Sequence, residues 1–284
     1  MQNRRYYSVR TGKHPNSTSY DLDVAKRLFR DVYNQFVAKD YFQEAFGYFC
    51  VDNGEVAGSL GSDIKAQIFR RLLKENLWPI EDRCLGYSED DLFDITESLY
   101  DCASKPVDGH YHTYSGCGWH YEVFDRQSGR SEFRAEINYV ISQYNEGYEL
   151  SEEGEILTKS PAQFPQFLSL LTAELPTNEP DKVEARVREA ELKFRRQRAS
   201  WDERRDAIRD LADVLEYLRP KLKEVLTKKD ESDLFNIANN FGVRHHNEAQ
   251  KTDYDMPIWY SWMFYCYLAT IHAVLRLIEK NKTS

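Results

Sequence analysis

The sequence predicts a mainly α-helical protein, with an N-terminal helical module that includes a small β-hairpin and a C-terminal four-helix bundle. Three observations carry this expectation. Apolar residues recur at helical spacing in one segment after another. A stretch with Pro161, Pro165, Pro176 and Pro180 separates two groups of such segments. The 284 residues are 41% hydrophobic and 14% aromatic, which is ample material for a core. With the boundary near the last two prolines, the chain divides into residues 1–176 and 177–284.

The elements follow in order. Residues 1–20 read as a polar lead-in. From Asp21, the positions Leu22, Ala25, Leu28, Phe29, Val32, Phe36 and Val37 form a helical stripe. A second apolar segment covers Tyr41 to Phe49, and Asn53-Gly54 and Gly58 to Gly61 mark turns. Ser62-Asp63 caps a helix with Ile64, Ile68, Leu72 and Leu73, expected to run to Trp78 because Pro79 follows. Ser88-Glu89-Asp90-Asp91 opens another helix through Leu92, Ile95 and Leu99; its acidic residues suit a helix N-terminus better than a catalytic carboxylate pair. Residues 104–131 are rich in Gly, Tyr and His and read as a loop with one short strand from Trp119 to Phe124. A helix is expected from Glu132, then a hairpin of Gly147–Leu150 and Glu155–Leu157 with Glu152-Glu153-Gly154 at its tip. A short helix, Phe167 to Leu175, lies in the proline-rich stretch.

Four helices are expected beyond it. The first carries Val183, Val187, Ala190 and Phe194, and the second Ile208, Leu211, Leu215, Leu218 and Leu222 with Pro220 inside it. The third carries Leu234, Ile237, Ala238 and Phe241 and stops near Gly242; the last runs from Pro257 to about Lys280. Met256 to Leu275 has the length of a membrane span and no Asp, Glu, Lys or Arg. Its Pro, Ser, Thr, His and three Tyr make it a buried core helix in this reading, with no membrane partner.

The net charge of -9 argues against a general polyanion binder. The acidity sits in residues 1–180, at a net -11, whereas residues 181–284 stand at +2. Any nucleic-acid contact is therefore expected in the C-terminal part, where Lys193-Phe194-Arg195-Arg196-Gln197-Arg198 also lies; its bland reading is a solvated helix face. Five scattered cysteines without a CxxC pair, and no apolar run behind the charges of Met1 to Tyr7, point to a reducing cytoplasm.

No P-loop, dinucleotide fingerprint or GxSxG elbow occurs, so no cofactor is expected. His110, His112, Cys117 and His120 form a compact set of competent zinc ligands, with Cys102 nearby. Their spacing matches no standard zinc module and His is ordinary in a surface loop. They are candidates to which the sequence assigns no metal.

The run Asp233-Leu234-Phe235-Asn236-Ile237-Ala238-Asn239-Asn240-Phe241-Gly242-Val243-Arg244-His245-His246-Asn247, then Gln250 to Asp255 and an aromatic final helix, resembles the C-terminal domain of bacterial abortive-infection proteins of the HEPN superfamily. Phe133 to Asn138, Gly147 to Ser151 and Gly154-Glu155-Ile156 resemble the end of the N-terminal module of AbiJ-type proteins. The resemblance implies a HEPN-like bundle that forms a homodimer and acts as a metal-independent endoribonuclease in phage defence, with RNA as its partner and a phage-derived trigger sensed by the N-terminal module. It places Arg244 as the family Arg, His245 or His246 as the imidazole and Asn247 as the polar member of the catalytic set. The sequence departs from the family pattern, because Glu248, Ala249 or Gln250 stands where the family has its His. The alternatives are RNA or nucleotide-phosphate binding without cleavage, and a non-catalytic dimerisation and interaction protein with a degenerate site.

Overall fold

The computed structural model describes residues 7–11, 19–145, 147–159, 175–177, 180–225, 227, 229, 232 and 255–282. The chain is mainly helical, with three two-stranded antiparallel sheets among these residues. It divides into two compact units, Met1–Lys159 and Ser160–Ser284. The expected short helix at Phe167–Leu175, apart from Leu175 itself, and the third helix of the bundle, Leu234 to Phe241, lie outside the described residues.

In the first unit, α1 (Leu22–Ala38) starts where Asp21 accepts a hydrogen bond from the Val24 amide and buries Ala25, Phe29, Val32, Tyr33 and Phe36. A one-turn helix, Gln43–Phe46, leads into a hairpin of β1 (Tyr48–Cys50) and β2 (Gly54–Val56). Asp63 caps α2 (Ile64–Leu72), which stops well short of the expected Trp78. The left-handed Leu73 ends it, and Lys74 turns away to pair with Asp91 and Asp94 of the next helix. That helix, α3 (Glu89–Cys102), opens on a reciprocal capping box between Ser88 and Asp91, so the acidic cluster is a helix start.

Two departures from expectation shape the rest of this unit. Residues 105–125 are a paired hairpin, β3 (Lys105–His112) and β4 (Gly118–Asp125), instead of a loop with one strand. Helix α4 (Arg126–Ile141) begins two turns before Glu132, at an Asp125 cap that binds the Ser128 amide. Its first turns are polar and carry no apolar stripe. They include Gly129, where a Cβ would stand 2.5 Å from Ser104 Cα, so α4 and the chain before β3 touch through a glycine. Phe133, Ile137, Val140 and Ile141 join the stripes of α1 and α3 in one core. The hairpin β5 (Tyr148–Leu150) and β6 (Ile156–Thr158) forms as expected.

The second unit has its own apolar core. After a π-helical turn at Pro180–Glu184 come α5 (Ala185–Arg195), α6 (Trp201–Val225) and α7 (Met256–Lys282). Ser200 and Glu203 form a capping box at the start of α6, and Pro220 is carried inside it. The Arg-dense segment is only partly a solvated face: Arg195 is buried, and the later Arg204 guanidinium lies over the rings of Phe194 and Trp201. Helix α7 is long and apolar enough to span a membrane, but 56% of its most apolar window is buried within the protein. Tyr260, Met263, Phe264, Tyr267, Leu268 and Ile271 join the core with α5 and α6.

Candidate metal centre

The β3–β4 hairpin sorts its aromatic side chains by face. His110 stands opposite His120, Tyr111 opposite Trp119 and His112 opposite Gly118. Side chains alternate across a strand, so the three histidines share one face and Tyr111, Trp119 and Tyr121 share the other. The rings agree, with His120 5.0 Å from His110 and 5.4 Å from His112, and Trp119 stacked on Tyr121. Gly109 allows the strands to approach, since a Cβ there would lie 2.2 Å from the His120 carbonyl oxygen.

The turn between the strands carries Ser115 and Gly116 at positive φ and brings Cys117 to the histidine face. The β1–β2 hairpin delivers Cys50 to the same place from 62 residues upstream of His112. Cys50 Sγ is 3.8 Å from His112 Nδ1, and Cys117 Sγ is 3.1 Å from His120 Nε2. One donor atom from each of the four residues lies within 4.8 Å of every other. Cys50 and His120 are buried, and His112 and Cys117 are half-buried.

The surroundings orient these groups. Asp52, in the β1–β2 turn, places its Oδ2 3.2 Å from His112 Nε2, leaving Nδ1 to face Cys50. The ring of Tyr48 stacks on His120 at 4.3 Å. Burial, then the neighbouring His110 and His112, holds the His120 pKa below the ordinary histidine value, which favours a neutral ring with a free lone pair. The Cys117 thiol makes a long 3.6 Å contact with the Phe49 carbonyl.

The hairpin is tied to the helical core by polar clasps. The buried Gln43 donates to the Trp119 carbonyl at 3.0 Å and accepts from the Tyr121 amide at 2.7 Å. Arg126 donates to Glu44 through Nε and Nη2 and holds that carboxyl below the usual carboxylate range. Gln43→Ala leaves two backbone groups of β4 without their partner and should cost about 1–3 kcal/mol. A urea titration that detects a change under roughly 0.3 kcal/mol would show that water replaces the clasp at no cost.

Three of the four sequence candidates, His112, Cys117 and His120, therefore converge, and the fourth does not. His110 is exposed on the histidine face and pairs with Glu122 at 3.3 Å. Its place in the group is taken by Cys50, which no local spacing could reveal; only the approach of the two hairpins brings it there. Cys102 is buried beside Arg71 and stands apart from the group. Two thiols and two imidazoles are a complete donor set for a tetrahedral metal ion. Arg244, His245, His246 and Asn247 lie outside the described residues. No protein-family model, curated protein or solved structure matches the chain.

Proposed function

We propose that the chain is a cytoplasmic phage-defence protein of abortive-infection type. In this reading its second unit is a HEPN-like bundle that dimerises and acts on RNA, while its first unit receives the infection signal. The observation that carries the reading is the run from Asp233 to Asn247, with Arg244 twelve residues before an aromatic final helix. A distinct second unit, in which α5, α6 and α7 share one apolar core, supports it. The chemistry is direct. A guanidinium at Arg244 would bind the scissile phosphate with two hydrogen bonds as negative charge builds. A neutral imidazole at His245 or His246 would take the proton from the ribose 2′-hydroxyl.

Expression of the full chain should arrest growth and fragment cellular RNA. Arg244→Ala should abolish both, as the loss of one such donor lowers the rate on the order of 100- to 1000-fold. A second reading, favoured by Glu248, Ala249 and Gln250 standing where the family has its His, keeps the dimer and dispenses with cleavage. Intact RNA on expression of the wild-type chain, with a dimer that α7 variants dissociate, would replace the first reading by the second.

A further inference from the structure

We propose that Cys50, His112, Cys117 and His120 bind one Zn2+ ion in a closed structural site that staples the β1–β2 hairpin to the β3–β4 hairpin. Zinc bonded to sulfur at about 2.3 Å and to nitrogen at about 2.0–2.1 Å in a tetrahedron separates its donors by roughly 3.3–3.8 Å. The Cys50–His112 and Cys117–His120 approaches, 3.8 Å and 3.1 Å, bracket that range, and the remaining separations fall within 4.8 Å. Closing the tetrahedron asks for changes in separation of about 1 Å or less.

The donor set selects the ion. Two thiolates and two imidazoles are soft to borderline ligands, and a tetrahedral S2N2 set suits zinc above magnesium, calcium or manganese. Two thiolates also balance the double positive charge. Because the protein supplies all four ligands, no position is left for water or substrate, so the site is structural. Asp52 on the outer nitrogen of His112 is the kind of carboxylate that fixes the tautomer of a metal-bound imidazole. In the metal-bound form the Cys117 sulfur exchanges its long contact with the Phe49 carbonyl for a metal bond.

The hairpins also need such a staple. Along β3 no residue is buried, and along β4 only His120 is. Val107, Tyr111, Trp119 and Val123 are all exposed. A two-stranded hairpin with so little apolar burial is marginal in water, and the one buried side chain of its strands is a ligand. Among the described residues this is the one group of three or more His, Cys, Asp or Glu side chains able to share an ion.

The full chain, purified without chelators, should carry about one zinc per chain by elemental analysis. Replacing the zinc with Co2+ should give the visible bands of a tetrahedral S2N2 site with thiolate charge transfer. Cys50→Ser should lose the metal, whereas His110→Ala should keep it; this separates the folded group from the local sequence cluster. Three outcomes would overturn the proposal. One is less than about a tenth of an equivalent of zinc together with no cobalt bands in the wild-type chain. Another is a Cys50–Cys117 disulfide in the protein purified under reducing conditions. The last is metal loss in His110→Ala with retention in Cys50→Ser. The wild-type cobalt spectrum stands whether or not a variant folds.

Discussion

Stripping the metal from the full chain should lower its thermal midpoint by on the order of 10 °C and strip amide protection from β3 and β4 first. The expected size follows from chain topology. A link from Cys50 to His112 closes a loop of 62 residues in the unfolded chain, and the entropy of closing such a loop corresponds to about 4 kcal/mol in the cross-link treatment. For a unit of this size each kilocalorie moves the midpoint by roughly 2–4 °C. The location follows from burial. The strands hold almost no apolar residue in the core, so without the metal they would be restrained chiefly by polar clasps such as Gln43, the Glu44–Arg126 pair and the Lys105–Glu132 pair. The helices α1, α3 and α4 share a core that does not include these strands and should lose less protection than the strands do. Hydrogen exchange with and without chelator measures both halves of this expectation. A uniform loss of protection over the first unit would mean that the site supports the whole core, and no loss at all would mean that the hairpins stand without it.

The helices were legible because burial writes a period of 3.6 into the sequence. The stripe from Ala25 to Phe36, the Ser88 capping box and the aromatic run from Tyr260 to Ile271 each combine a start signal with a buried face. The β3–β4 hairpin was not legible for the same reason. Its faces alternate His against Tyr and Trp, not polar against apolar, and both are largely exposed, so no core-facing pattern marks the strands. The start of α4 was hidden likewise: Arg126 to Glu132 is polar except for Gly129, whose burial comes from close approach and leaves no hydrophobic signature. Three members of the metal group were visible as a compact His/Cys set. The fourth was not, because Cys50 reaches it only through the tertiary approach of a separate hairpin. His110 was a false member because its two-residue offset from His112 put it on the right face, one position too far from Cys117, beside Glu122. Local spacing thus located the site to within one hairpin but could not choose its ligands.

Helix α7 sets the other large effect. By length and composition it resembles a membrane span, yet Phe264 is fully buried and stacks on Phe194 of α5 with centroids 4.0 Å apart and planes 9° from parallel. Tyr265 meets the Phe264 ring edge-on at 5.3 Å. Phe264→Ala removes the ring from this stack and leaves a void between α5 and α7, where Leu211 and Leu215 of α6 are already fixed in the same core. The expected cost is about 3–5 kcal/mol, read from urea unfolding of the second unit. Trp262, two residues earlier, is 37% exposed and should cost roughly 1 kcal/mol or less when replaced by Ala. The contrast between the two positions decides what kind of helix this is. A helix held by the protein core is sensitive along one face and tolerant along the other. A helix held by lipid would show no such one-sided loss in aqueous unfolding, and equal effects at Phe264 and Trp262 would reject the core assignment. The outcome also bears on the proposed RNA chemistry. The α5–α6–α7 core is the scaffold on which Arg244 would have to be held, so Phe264→Ala should reduce any growth arrest in proportion to the unfolded fraction, whereas Arg244→Ala should abolish it in a chain that remains folded.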